Sequence, residues 1–114
     1  MSSLVRPVTL LLGVVLTLVG IAGFFTGDML LWFQVDMLHN VIHLASGLAG
    51  LWAASAGKER LYLLVFGLIY AGVAAIGFVN GGNILGLIMV NDADNYLHAA
   101  IAVVGILLGA SKKS

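Results

Sequence analysis

Two short motifs hold most of the chemistry this sequence can offer. One is His39-Asn40-Val41-Ile42-His43, the other Asp94-Asn95-Tyr96-Leu97-His98, and together they contain all three histidines of the chain. Side chains at i and i+4 share a helix face, so two imidazoles at that spacing can grip one ion. If the helices carrying the motifs face each other, His39, His43, Asp94 and His98 converge. Three imidazoles and a carboxylate suit Zn²⁺, Cu²⁺ or Fe²⁺, with Asn40 and Asn95 placed to orient them. A haem is the rival occupant, because His43 and His98 hold equivalent positions on different helices, as bis-histidine ligation requires. Asn40 stands where the catalytic Glu of an HExxH protease would be, which excludes that chemistry. The same residues also have a structural reading. Asp36 and Asn91 fall at N-cap positions, and Asp94 follows Asn91 by three residues, close to a capping-box arrangement. An acid in the first turn suits the helix dipole, and histidines at helix ends can tie down loops by hydrogen bonds. On that reading there is no resident cofactor; on the other there is a metal ion or a haem.

The elements that must position these residues follow from composition. The chain has 114 residues, 61% hydrophobic and 9% charged, against roughly 45–50% and 25% in soluble domains. So few charges cannot cover a small soluble domain, and so much apolar content excludes disorder. Zero formal net charge gives no footprint for nucleic acid. The absence of Cys excludes disulfides, iron–sulfur clusters and thiolate sites. No P-loop, GxSxG or dinucleotide fingerprint occurs. The expectation is an integral membrane protein that is not an enzyme, forming a single domain over 1–114.

A spanning helix needs about 20 mostly apolar residues. Four stretches qualify: Pro7–Phe25, Met37–Ala56, Leu61–Val79 and Asp94–Ala110. The second and third are joined by Gly57-Lys58-Glu59-Arg60, which predicts a tight helical hairpin. The two longer loops, 26–36 and 80–93, are partly apolar and read as interfacial, with Trp32 at the membrane surface. Trp52 reads as an interfacial or packing residue, and Thr17 and Tyr70 as helix–helix contacts. Arg6, Lys58, Arg60, Lys112 and Lys113 all fall on one side of this arrangement, whereas Asp28, Asp36, Asp92 and Asp94 fall on the other. The positive-inside rule places both termini in the cytoplasm of a cell inner membrane. The first span is too long for a signal-peptide core and lacks a clear cleavage site, so it is read as a permanent span.

The two halves resemble each other. The Gly13–Phe24 stretch resembles Gly67–Phe78, and His39–His43 resembles Asp94–His98, with one residue inserted in the second loop. This predicts an all-α, four-transmembrane-helix bundle of two tandem parallel helix-loop-helix repeats, about 7–57 and 61–111. Small residues continue the motif stripes: Gly47, Gly50 and Ala54 after His43, and Ala102, Gly105 and Gly109 after His98. They mark the faces that touch other helices.

The HNxxH start of the second span, the Leu63–Gly72 stretch of the third and the DNYLH start of the fourth resemble a family of small bacterial four-helix membrane proteins of unknown function. The resemblance covers nearly the whole chain. It implies a bacterial four-span protein and supplies no activity, substrate or cofactor. The functional expectation is a structural or accessory protein of the bilayer, binding a membrane-protein partner or a second copy. The alternative is a metal- or haem-binding protein using the histidine cluster.

Overall fold

The structure, a computed structural model, describes residues 2–111; Lys112 and Lys113 lie outside the described residues. Among these, four helices carry the fold: α1 (Val5–Gly23), α2 (Met37–Ala56), α3 (Glu59–Asn80) and α4 (Asp92–Gly109). A turn of 3₁₀-helix, Ser2–Leu4, leads into α1. The stretch Ser2–Gly23 and helix α3 are long and apolar enough to cross a membrane, each with mean hydropathy 2.2. α2 has the bounds expected from the sequence, while α3 begins two residues earlier, so only Gly57 and Lys58 link the two. Gly57 makes that reversal possible by adopting φ +70°, a left-handed conformation with little penalty for glycine.

The two longer loops are more ordered than the sequence suggested. Each folds into a two-stranded antiparallel hairpin: β1 (Met29–Leu30) with β2 (Phe33–Gln34), and β3 (Asn83–Ile84) with β4 (Ile88–Met89). The first turns through Leu31-Trp32, the second through Leu85-Gly86-Leu87. The additional residue of the second half therefore lies in its turn. Leu31 and Leu85 both sit at positive φ, 54° and 55°, which costs a bulky residue on the order of 1–2 kcal/mol. Order beneath the turns offsets that cost: Val35 and Val90 are buried just after the strands.

α1 packs mainly on α2, and α3 mainly on α4. The contacts are close because glycine lines them. A methyl group at Gly20 would meet the Leu44 backbone at 2.5 Å, and one at Gly109 the Leu64 backbone at 2.6 Å. Such close approach brings many atoms of neighbouring helices into van der Waals contact. The two pairs meet through α2 and α3, where Ser46 is bonded twice. Its carbonyl accepts from Tyr62 Oη at 2.8 Å and its hydroxyl lies 3.1 Å from Tyr70 Oη. Thr17 bonds back to the Gly13 carbonyl of its own helix, so its hydroxyl is satisfied locally. At the end remote from the hairpins, Arg6 donates to the Ala54 carbonyl and Arg60 to the Leu108 carbonyl. Each arginine thus caps the C-terminal turn of its neighbouring helix, where carbonyls lack partners and the dipole is negative.

Candidate metal centre

The hairpin ends of α2 and α4 are fixed by their caps. Asp36 caps α2, its Oδ1 accepting from His39 N at 2.8 Å. Asn91 caps α4 in a full capping box: its Oδ1 accepts from Asp94 N, and Asp94 Oδ2 accepts from Asn91 N, both at 3.0 Å. Each carboxylate also reaches across to the other half. Asp36 Oδ2 accepts from Met89 N at 2.7 Å, and Asp94 Oδ2 from Gln34 N at 3.0 Å. Asn91 Nδ2 donates to the Trp32 carbonyl at 2.9 Å. The caps therefore fix the first turns of both helices and hold the hairpins over them.

Below the hairpins the three histidines meet. His39, His43 and His98 each offer a ring nitrogen, and the three atoms lie within 4.8 Å of one another. The ring centroids are 4.3 Å apart for His39–His43, 5.4 Å for His39–His98 and 5.9 Å for His43–His98. All three side chains are buried, at 1–2% exposure. Both ring nitrogens of His39, both of His43 and Nδ1 of His98 have no hydrogen-bond partner. The Gln34 and Met89 backbones lie beside the His39 ring, yet neither meets hydrogen-bond geometry with it. A buried, unbonded polar group normally costs about 1–3 kcal/mol, and a metal ion held by the three rings could satisfy these atoms.

Nitrogens about 2.1 Å from one tetrahedral ion stand roughly 3.4 Å apart, so modest ring rotations would close the present cluster on a common centre. The space beside it is a cavity of about 30 Å³, lined by the three histidines, Tyr70, Ile42, Ile69, Val73 and Ile88. Its exposed lining is all carbon, so it is a small apolar void beside the ring nitrogens. Larger organic ligands occupy roughly 300–1,000 Å³, so the haem alternative has no room between His43 and His98.

Not every residue singled out in the sequence joins the cluster. Asp94 lies outside the group of ligand atoms within 4.8 Å. It is fully buried, with Oδ2 taken by two backbone N–H groups and Oδ1 without a partner. The capping-box role suggested by its spacing from Asn91 is therefore present. Asn40 and Asn95 hold no imidazole by a hydrogen bond among the described residues. Their amides press on the preceding helix instead: a methyl group at Gly23 would stand 2.0 Å from Asn40 Oδ1, and one at Gly77 would stand 2.0 Å from Asn95 Oδ1. The matched Gly-Phe pairs of the two halves were the signal for this contact. Residue type holds no such indication for Gln34 and Met89, which act through backbone N–H groups.

No curated protein and no solved structure matches the chain. A family match runs over residues 6–111, nearly the whole length, and that makes the chain a member of the family described as a domain of unknown function, DUF4383.

Proposed function

We propose that this protein crosses a bacterial inner membrane four times, with both termini cytoplasmic, and binds one transition-metal ion through His39, His43 and His98. The observation that carries the metal reading is the cluster of buried, unpartnered ring nitrogens. Zinc, copper and iron all accept imidazole ligation. The small cavity leaves little space for a substrate beside the ion, which supports a non-enzymatic role such as metal sensing or structural binding. The protein purified in detergent should carry about one equivalent of metal by elemental analysis, and an H43A/H98A variant none. Unchanged metal content in that variant would remove the site.

Four spans require α2 and α4 to cross beside α1 and α3. Their lengths of 20 and 18 residues suit an apolar core of about 30 Å at 1.5 Å per residue. The duplicated arrangement is supported by paired details: Arg6 on Ala54 and Arg60 on Leu108, Asn40 on Gly23 and Asn95 on Gly77. The one-sided distribution of Lys and Arg supports the orientation. A reporter fused at Ser114 should read cytoplasmic; an extracytoplasmic signal or a three-span map would overturn the topology.

An accessory role without metal is the second reading. It is favoured by the outward apolar surface, where Leu11, Leu18, Leu68 and Trp52 are exposed and available to lipid, a membrane-protein partner or a second copy. A metal-free protein whose stability ignores added zinc would leave this reading in place.

A further inference from the structure

We infer that Asp94 sets the charge class of the ion, selecting a divalent over a monovalent cation; this rests on the metal reading above. Three imidazoles are neutral ligands and leave an ion's charge uncompensated, and the space beside them is apolar, lined by Ile42, Ile69, Val73, Ile88 and Tyr70. Uncompensated charge in such surroundings is costly, and the cost grows steeply with the charge. The compensation stands one helical turn away. Asp94 precedes His98 by four residues on the same face of α4, a spacing that puts Cβ atoms roughly 5–6 Å apart. Its side chain is 0% exposed and its Oδ1 is unpartnered. Asp36, half-buried at the start of α2, bonds the backbone of His39. Neither acid pairs with a cation among the described residues, whose ion pair is Arg6–Glu59 at the opposite end. Two carboxylates held by backbone N–H groups but without a cationic partner, beside three neutral ligands, make a site whose charge matches a divalent ion.

Carboxylate attraction to a divalent ion is twice that to a monovalent one at the same place. Asp94→Asn removes the charge while keeping an oxygen that can accept from Gln34 N and Asn91 N. Zinc and anaerobic Cu⁺ are titrated separately into the metal-stripped full-length protein in detergent against chromogenic chelators. The wild type should bind one equivalent of zinc. D94N should weaken zinc by roughly ten- to a hundredfold and change Cu⁺ affinity far less. D36N should shift the ratio in the same direction and carries the test if D94N does not fold. N91A removes the cap acceptor but no charge, and should leave the ratio unchanged. An unaltered zinc-to-copper ratio in D94N, or an equal shift in N91A, overturns the inference while the histidine site stands. A wild type that binds neither ion removes the site itself.

Discussion

Zinc added to the metal-stripped protein in detergent is expected to raise its thermal midpoint by on the order of 10 °C. At a free concentration 100 times the dissociation constant, an ion that binds only the folded state stabilises it by about 2.7 kcal/mol. In a domain of this length each kilocalorie is worth several degrees. The ligands come from both halves: His39 and His43 from α2, His98 from α4. Zinc thus ties together two helices that few direct contacts join. In H98A the shift should vanish, since His39 and His43 alone form an adjacent pair on one helix. The metal-free variant should lose less than the zinc gain, because the imidazole removed has a nitrogen with no partner in the folded state. A full zinc shift in H98A, measured by differential scanning calorimetry, would refute the assignment.

A large loss of stability is expected at two glycines that carry no ligand atom. Gly23→Ala and Gly77→Ala each place a methyl group 2.0 Å from an asparagine oxygen, well inside contact distance. Asn40 and Asn95 are buried at 2% exposure and cannot swing into solvent, so the helices must separate. Overpacking of this kind costs about 1–3 kcal/mol, and more where the backbone must shift. Gly72→Ala is the control. Nothing lies within 4 Å of its methyl position, and within α3 the change should stabilise by up to about 1 kcal/mol. Chemical denaturation of the three variants in the same detergent orders them. Equal stabilities would show that the Gly–Asn contacts do not hold the pairs.

The helices were legible because apolar runs of spanning length, broken by glycine, leave few alternatives. Met37–Ala56 could be delimited to the residue, since Asp36 caps one end and Gly57 ends the other. The hairpins were not legible. Met29-Leu30-Leu31-Trp32-Phe33 is one unbroken apolar run, with none of the alternation that marks a half-buried strand. Its strands are two residues long, and its turn uses leucine rather than glycine at positive φ. The histidine cluster was legible from the i, i+4 spacing and the matched motifs. Asp94 carried two readings at once, ligand and capping residue, and local spacing from Asn91 could support only the second. The contacts of Asp36 with Met89 and of Asp94 with Gln34 depend on how the halves meet. Backbone N–H groups leave no trace in residue type.

Those two crossed contacts bear on time as well as shape. Asp36 belongs to the first half and holds the hairpin of the second; Asp94 belongs to the second and holds the hairpin of the first. Neither hairpin can lift while the opposite helix cap keeps its grip. Hydrogen bonds to a charged acceptor contribute about 1.5–3 kcal/mol each, so releasing both slows escape by roughly a hundred- to ten-thousandfold. For the proposed ion, leaving then requires the hairpins to open as well as the imidazoles to let go.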